Sequence, residues 1–294
     1  QKPSAAGIFL GHADGLVLRS SSTKRHDMLT PAKQLKEKLA SDAPVVGLMA
    51  TDHAWPFLVE ICQNAGLDYL VVDSEHGDFS DELVSHICQI GRLAGFPVLV
   101  RTISCETTVI RRTIDLGPSG ILIPCVESTA QLDQVKEAAL MPPRGRRRPG
   151  GMGNHWMKDF QYATWKTDFE DHFIVIPQIE SQTGVDNVDS IAAHPLVTAM
   201  GLGPYDLSAD LGCCWNPDDE KFITALETVK KASDAVGKKV WAGCDGPALR
   251  EKGYTFLWVG TASVVLSNGL KQIVKEINDP AAAPSDRIAT PPPA

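Results

Sequence analysis

Ile174-Val175-Ile176-Pro177-Gln178-Ile179-Glu180 is the stretch that decides the fold, because it is an apolar run of strand length that ends in a carboxylate. A second apolar run begins at Met200 and leads to Asp206. Between the two runs, residues 182–194 have the periodicity of an amphipathic helix. Apolar runs without alternation are typical of strands buried on both faces in a parallel sheet. The segment is therefore predicted to be a strand–helix–strand unit, with Glu180 and Asp206 at the same carboxyl edge of the sheet.

Two carboxylates at one edge either repel each other or share a cation. A pair of ligands that offers only oxygen suits a hard divalent ion such as Mg²⁺ or Mn²⁺. The alternative is that Glu180 and Asp206 are two unrelated acids at strand ends. The rest of the sequence bears on this choice.

The same strand–helix alternation extends along the chain. The predicted strands are residues 45–50, 69–73, 98–101, 121–124, 174–179, 198–203, 239–242 and 255–259. The predicted helices are residues 30–40, 55–64, 80–94, 107–115, 129–139, 183–192, 218–236, 247–252 and 262–277. Repeated units of this size with right-handed crossovers close into a (β/α)8 barrel of the TIM type, here with an extra N-terminal helix. A doubly wound open sheet is the competitor, but no Gly-x-Gly-x-x-Gly motif follows the first strand.

Composition and charge limit the partners and the location. The predicted organisation is a flexible N-terminal arm (1–26), a single barrel domain (27–279) and a proline-rich C-terminal tail (280–294). A formal charge of −8 argues against nucleic acid. The sequence contains no transmembrane-length apolar run and no signal-peptide pattern, so no membrane partner and a cytoplasmic location are expected. Seven cysteines without Cys-x-x-Cys spacing indicate a reducing compartment, and Cys62, Cys88 and Cys125 are interpreted as packed thiols.

In a barrel of this type the chemistry lies at the carboxyl ends of the strands. His76 with Asp73 is the candidate general base, because a nearby carboxylate can orient an imidazole or raise its pKa. The alternative is a surface histidine held by a local hydrogen bond. Arg101 ends an aliphatic strand and needs an anionic partner, which is either a structural carboxylate (Glu75 or Glu180) or the substrate. A carboxylate pair, a base and a guanidinium at one rim together suggest an enolate, formed from a 2-oxo acid.

These residues lie in motifs that resemble the HpcH/HpaI family of metal-dependent class II pyruvate aldolases, in order and at matching spacing from about residue 45 to residue 277. The motifs are Val71-Val72-Asp73-Ser74-Glu75-His76, Val98-Leu99-Val100-Arg101, Gly120-Ile121-Leu122-Ile123-Pro124, Pro177-Gln178-Ile179-Glu180 and Gly203-Pro204-Tyr205-Asp206-Leu207-Ser208.

The resemblance implies a role for each matching residue. It implies Glu180 and Asp206 as ligands of Mg²⁺ (Mn²⁺ or Co²⁺ as alternatives), Arg101 as the residue that stabilises the enolate, and Asp73 with His76 as the acid/base element. The substrate-binding residues implied are Gln178, Gly203, Pro204, Tyr205 and Trp55. It also implies a homo-trimer or homo-hexamer in which the last helix is exchanged between subunits.

The expected function is a Mg²⁺-dependent lyase that forms a pyruvate enolate from oxaloacetate by decarboxylation and adds it to an acceptor. The acceptor is an aldehyde, or a 2-pyrone as in a specialised fungal member of the family. Tyr205 replaces the small residue usual in the family, and Trp156, Tyr162 and Trp165 are further candidates for an aromatic pocket. The alternative for each of these aromatics is a place in the core or at a subunit interface. One alternative is a CoA-ester lyase of the malyl-CoA or citramalyl-CoA type, which would use the arginines of residues 144–148. Another is a non-catalytic binding barrel.

Overall fold

The computed structural model describes residues 30–148, 161–243 and 245–279, and these ranges form a closed barrel of eight parallel strands. The strands are β1 (Val45–Ala50), β2 (Tyr69–Asp73), β3 (Val98–Arg101), β4 (Gly120–Ile123), β5 (Ile174–Ile179), β6 (Met200–Leu202), β7 (Val240–Gly243) and β8 (Phe256–Thr261). Each strand pairs with its neighbours in chain order, and β8 closes the ring on β1. The predicted (β/α)8 fold is therefore confirmed.

Helices surround the barrel. They are α1 (Thr30–Leu39), α2 (Leu58–Asn64), α3 (Asp81–Ala94), α4 (Thr107–Asp115), α5 (Thr129–Ala139), α6 (Tyr162–Trp165), α7 (Gln182–Asp186), α8 (Val188–Ala193), α9 (Pro204–Asp210), α10 (Glu220–Ala235), α11 (Gly246–Glu251) and α12 (Ala262–Asn278). A π-helical turn, Lys166–Glu170, continues α6. None of the helices in the described ranges combines the length and the hydrophobicity of a membrane-spanning segment.

The barrel interior is filled by large apolar side chains that alternate along the strands. Val45, Met49, Tyr69 and Trp241 belong to this inner cluster, and Leu35 of α1 joins it. Because Val45 begins β1, α1 closes the amino end of the barrel. Two outer clusters pack the other strand faces against the helices. The interior is thus a packed core, and the carboxyl rim is left as the place for chemistry.

Helix boundaries differ from the predicted ones where a local signal competes with the periodicity. The predicted helix 183–192 is two short helices, α7 and α8, that meet at Asn187. The predicted helix 55–64 begins later, at Leu58. Helix α9 was not predicted; it starts at Pro204, whose fixed φ favours the first helical position. The residues after β6 therefore leave the barrel as a helix rather than as a loop.

The last helix, α12, has no buried residue in the single chain. Its exposed apolar side chains are Val264, Val265, Leu266, Leu270, Ile273, Val274 and Ile277. At its start, Ser263 donates hydrogen bonds to the carboxylate of Asp52, in the loop after β1. The helix is thus anchored at its first turn while its apolar side remains uncovered. The arm (1–26), the tail (280–294), Trp156 and Cys244 lie outside the described residues.

Candidate active site

Glu180 and Asp206 follow neighbouring strands. Glu180 comes directly after β5, and Asp206 lies in the first turn of α9, just after β6. Strands β5 and β6 pair in parallel through Ile179 and Leu202, so both acids lie at the carboxyl rim. Burial raises the pKa of Glu180, and the negative charge of Asp206 adds to that effect. The two carboxylates are therefore electrostatically coupled.

The side chain of Glu180 is buried and held at one oxygen. The residue is only 6% exposed. Its Oε2 accepts hydrogen bonds from the backbone N–H of Cys125, at 2.8 Å, and from the Cys125 thiol, at 3.3 Å. Its Oε1 lies against Gly203, where a Cβ atom would overlap the carboxylate. Glycine at position 203 thus leaves the room that the Glu180 side chain occupies.

Arg101 ends β3 beside Asp73, which ends β2 in the same register. The guanidinium donates two hydrogen bonds to Asp73, from Nε to Oδ1 at 2.8 Å and from Nη2 to Oδ2 at 2.6 Å. Its Nη1 lies 3.2 Å from Oε2 of Glu75. Burial alone would raise the pKa of Asp73, but the hydrogen bonds and charge of Arg101 hold that pKa below its usual value. Asp73 is therefore an ionised carboxylate that fixes the guanidinium.

His76 differs from its expected arrangement. Asp73 accepts hydrogen bonds from Arg101, from Thr51 and from the backbone N–H groups of Glu75 and His76, so it contacts the backbone of His76. The imidazole is 58% exposed, and its Nε2 lies 3.8 Å from Oε2 of Glu75. The expected pairing of Asp73 with the His76 ring is thus not the arrangement found, because Arg101 occupies both oxygens of Asp73.

The other predicted residues fall at or near the same rim. Gln178 lies on β5 and is buried, with its Oε1 without a hydrogen-bond donor among the described residues. Gly203 and Pro204 start α9. Tyr205 is exposed, and its ring packs edge-on against that of Trp215 at 6.2 Å. Trp55 packs against the outer cluster that contains Leu58, outside the barrel interior. Their roles toward a substrate stay predictions.

The charges at the rim fit a divalent cation. Burial raises the pKa of Glu75 and of Glu180, and in each case Asp206 raises it further. Oε2 of Glu75 is buried and accepts no hydrogen bond within the described ranges, although Arg101 lies nearby. Within these ranges, no three side chains of His, Cys, Asp or Glu form a ready-made metal cage. A Mg²⁺ site does not require three protein ligands, because one or two carboxylates commonly hold the ion and water and substrate oxygens supply the remaining ligands.

From the sequence, Glu75 is one of several candidate partners for Arg101, and the 3.2 Å contact selects it. The site residue that the sequence does not indicate is Cys125. Cys125 is expected to be a packed thiol; this holds for the buried Cys62 and Cys88 but is wrong for Cys125, which is an exposed residue. Partial desolvation of its sulfur, with the charge and hydrogen bond of Glu180, raises the pKa of the Cys125 thiol to about 12. The only sequence signal was its position directly after a predicted strand.

Two candidate aromatic residues belong to another part of the molecule. Trp165 is buried in the outer core, where it stacks on Phe169 at 4.4 Å. Tyr162 is partly buried against the same cluster, and its hydroxyl donates to Glu170. The prediction that they line an aromatic pocket is therefore wrong, because the segment before β5 turns them into the core.

The arginines of residues 144–148 are mostly paired within the chain. Arg144 lies 3.1 Å from both Glu170 and Asp171. Arg146 pairs with Glu137 at 2.9 Å. Arg147 is buried, and its Nη2 donates to Asp115 at 2.8 Å. The positive charges of these arginines are therefore already paired with carboxylates of the chain, rather than with a phosphate group.

Comparison with known proteins places this architecture in a family. Residues 48–268 match the family described as HpcH/HpaI aldolase/citrate lyase. A hydroxypyruvate/pyruvate aldolase of Pseudomonas aeruginosa is 29% identical over 87% of this chain and 96% of its own length. The HpcH/HpaI aldolase structure from Desulfitobacterium hafniense aligns with a TM-score of 0.74 and 31% identity, covering 86% of this chain and 98% of that one. The structure of macrophomate synthase shares the fold, with a TM-score of 0.69 and 24% identity, covering 87% and 90%. The chain belongs to the HpcH/HpaI aldolase/citrate lyase family.

Proposed function

We propose that this protein is a divalent-metal-dependent aldolase that makes and breaks a carbon–carbon bond through the enolate of pyruvate. The observation that carries the proposal is the arrangement of Arg101. The guanidinium is held by Asp73 and Glu75, and the charge of Glu180 also acts on it, so a fixed positive group stands beside the coupled pair Glu180 and Asp206. Such a site suits an anionic 2-oxo acid whose ketone oxygen gains negative charge during the reaction.

Glu180 and Asp206 would hold the cation, with Mg²⁺ as the expected ion and Mn²⁺ or Co²⁺ as alternatives. When bound, the cation supplies charge that binds and polarises the carboxylate and ketone oxygens of the 2-oxo acid. Oε1 of Glu180 is the atom for this role, because Oε2 is already hydrogen-bonded to Cys125. The backbone amides of Tyr205 and Asp206, in the first turn of α9, would bind the substrate carboxylate.

Arg101 would stabilise the enolate oxygen. Its Nε and Nη2 are committed to Asp73, and its Nη1 lies beside Glu75. The guanidinium therefore keeps one orientation while charge develops on the substrate, which is the condition for electrostatic stabilisation without reorganisation. Asp73 is in this proposal a positioning residue for Arg101, rather than a proton carrier.

His76 would move the proton. Its ring is exposed at the rim, where it reaches water and an incoming acceptor, and Glu75 lies beside it. The imidazole would take a proton from the hydroxyl group of the aldol during cleavage, directly or through water, and would return it during condensation. Asp73 does not contact the ring of His76, so in this proposal Glu75 is the carboxylate beside the imidazole, the role expected of Asp73 from the sequence.

Two routes to the enolate and two acceptors remain distinct within this proposal. Oxaloacetate would give the enolate by loss of CO₂, without a base. A 2-oxo-4-hydroxy acid would give it by loss of an aldehyde, with proton transfer by His76. The relative named hydroxypyruvate/pyruvate aldolase favours an aldehyde acceptor. A 2-pyrone acceptor, as used by macrophomate synthase, stays the second candidate, and exposed Tyr205 is the feature that would suit it.

A CoA-ester lyase is less well supported. Arg144, Arg146 and Arg147 each pair with a carboxylate of the chain, so a CoA phosphate would have to displace those carboxylates. A non-catalytic barrel is also less well supported, because the Arg101, Glu180, Asp206 and His76 set is intact.

We further propose that the protein is a homo-oligomer, trimeric or hexameric, in which α12 packs on a neighbouring subunit. An apolar helix face of this length is rarely left exposed on a monomer.

The deciding experiment follows pyruvate enolisation without an acceptor. Purified protein is mixed with pyruvate in D₂O, and exchange of the methyl protons is followed by NMR with Mg²⁺, then with EDTA. Oxaloacetate decarboxylation is measured in parallel. Exchange and decarboxylation that need the metal, and that disappear in Asp206→Asn, support the proposal. Asp210→Asn, at the other end of α9, is the matched control. Neither reaction with Mg²⁺, Mn²⁺ or Co²⁺ would overturn it.

A further inference from the structure

Cys125 has an unusual backbone conformation. It lies two residues beyond β4 and has φ of 52°, in the left-handed region. Residues with a side chain avoid this region, because Cβ crowds the following carbonyl oxygen, and glycine is the usual occupant. Positions that keep such a conformation without glycine are enriched at functional sites.

Neighbouring residues hold Cys125 in this conformation. Its carbonyl oxygen accepts a hydrogen bond from Nε2 of Gln131, at 3.1 Å. The next residue, Val126, donates its backbone N–H to the carbonyl of Gln178 on β5, also at 3.1 Å. The turn is thus hydrogen-bonded both to α5 and to β5, the strand that directly precedes Glu180.

Two donors of Cys125 converge on one oxygen of Glu180. The backbone N–H and the thiol both donate to Oε2, at 2.8 and 3.3 Å. The other oxygen, Oε1, lies over Gly203 at the start of α9, the helix that carries Asp206.

We propose that Cys125 is a positioning residue for Glu180, whose N–H and thiol occupy Oε2 and so leave Oε1 directed to the cation shared with Asp206. The inference rests on the proposed function, since it takes Glu180 as a metal ligand. Groups that hydrogen-bond a metal ligand restrict its orientation, and their loss commonly lowers metal affinity by about 10- to 100-fold.

Three substitutions at one position separate the roles. Cys125→Ser keeps a side-chain donor, Cys125→Ala removes it, and Cys125→Gly removes it while also accepting the positive φ. Because a thiol is a weak donor, we expect Mn²⁺ affinity to fall about tenfold in the Ala and Gly variants, and to stay within about threefold in the Ser variant. Mn²⁺ binding is measured directly, by electron paramagnetic resonance of the free ion.

Folding stability is measured on the same proteins. The Gly variant is expected to unfold at higher urea concentration than the Ala variant, because it relieves the backbone, while binding Mn²⁺ equally weakly. A gain of stability from Ala to Gly with no gain of Mn²⁺ affinity would not arise if the affinity loss only reflected a destabilised fold. Wild-type affinity in Cys125→Ala, or a Ser variant as weak as the Ala variant, would overturn the proposal.

An infrared measurement tests the contact itself without any metal. The S–H stretch of Cys125 is isolated by subtracting the spectrum of Cys125→Ser from that of the wild type. A thiol that donates to a carboxylate absorbs at lower frequency than a free one, so Glu180→Gln should shift this band upward. An unshifted band would overturn the inference even if Mn²⁺ binds. A shifted band in a protein that binds no Mn²⁺ would confirm the hydrogen bond between Cys125 and Glu180 but contradict the proposed metal dependence of the function.

Discussion

Asp73 and Arg101 stand side by side at the ends of neighbouring strands, β2 and β3, and are joined by two hydrogen bonds of 2.8 and 2.6 Å. The parallel register brings the last residue of each strand together, so the pair is set by the sheet and not by a loop. Both side chains are buried. The barrel thereby fixes the orientation of a guanidinium at the rim where Glu180 and Asp206 also lie.

Removing the guanidinium should cost much stability. Arg101→Met leaves Asp73 buried without its partner, and breaking a buried pair in this way typically costs about 3–5 kcal/mol. The double variant with Asp73→Asn should recover a large part of that loss. Arg112→Met is the matched control, because Arg112 forms a 2.7 Å pair with Asp81 on the exposed surface, worth about 1 kcal/mol at most. Urea unfolding measures all four proteins, and equal losses in the two single variants would contradict the argument.

The Asp73 carboxylate should also make stability depend on acid pH. Arg101 holds its folded pKa below the unfolded value of about 3.9. A depressed folded pKa gives stability that is present above the unfolded pKa and is lost as the pH falls through the folded one. The difference in unfolding free energy between wild type and Asp73→Asn should therefore be constant at neutral pH and shrink below about pH 4.

The raised pKa of Glu180 is common to both proteins and cancels from this difference, whereas part of the rise in the pKa of Glu75 comes from the charge of Asp73 and is lost in the variant. Urea unfolding at a series of pH values measures the difference. A difference that stays constant down to pH 3 would show that Asp73 titrates normally.

The two half-reactions should separate His76 from Arg101. Loss of CO₂ from oxaloacetate forms the enolate without proton abstraction, so His76→Ala should change decarboxylation by less than about tenfold while lowering aldol cleavage by about 10²- to 10⁴-fold. Arg101→Ala should lower both reactions by about 10²- to 10³-fold, because both develop charge on the same oxygen. Steady-state assays of both reactions test this. Equal loss of decarboxylation in the two variants would count against the assigned roles.

Gly203→Ala should weaken metal binding at the site although it changes no charged group. A Cβ at this position would overlap the Glu180 side chain, which is already fixed by Cys125 on its other side. We expect Mn²⁺ affinity to fall by at least about tenfold, as for other losses of ligand orientation. Gly246→Ala is the control: it also stands at the start of a rim helix, but open space surrounds its added methyl group. Unchanged Mn²⁺ binding in Gly203→Ala would mean that Glu180 is not a ligand.

The barrel could be predicted because each strand is a short apolar run that ends in a polar residue. The observed limits of β2, β3 and β5 are the predicted ones. Strands of a parallel barrel are buried on both faces, so residues such as Val71 and Ile176 are apolar along the whole strand and mark its length. Helix α9 could not be predicted from periodicity, because its seven residues are too few to show it. There only Pro204 gave a local signal.

The site could be predicted as a set of residues but not as a set of contacts. Strand ends meet at one rim in any such barrel, so Asp73, Arg101 and Glu180 could be placed together. Which side chain touches which depends on register and backbone conformation. Asp73 lies opposite Arg101 in the sheet, so its carboxylate binds the guanidinium and not the ring of His76. Cys125 contacts Glu180 from a turn with positive φ, and the sequence indicates only its position directly after a strand.

Helix α12 should hold the assembly together. Leu266, Leu270, Ile273 and Ile277 are spaced by four, three and four residues, so they form one stripe along the helix, and all are exposed in the single chain. Leu270→Glu should therefore convert the oligomer to smaller species, as measured by sedimentation velocity. Its effect on folding of the single chain should be small, within about 0.5 kcal/mol, because an exposed side chain has few contacts to lose.

Asn268→Glu provides the control, because residue 268 lies on the opposite side of α12 from the stripe by helical spacing and is also exposed. The same charge added there should leave the assembly intact. Ser263, in the first turn of α12, hydrogen-bonds Asp52, and the adjacent Thr51 hydrogen-bonds Asp73 of the rim. The activity of a dissociated protein would therefore also show whether the rim needs the neighbouring subunit. An unchanged sedimentation coefficient in Leu270→Glu would show that the stripe is not an interface between subunits, and the exposed face of α12 would then need another partner.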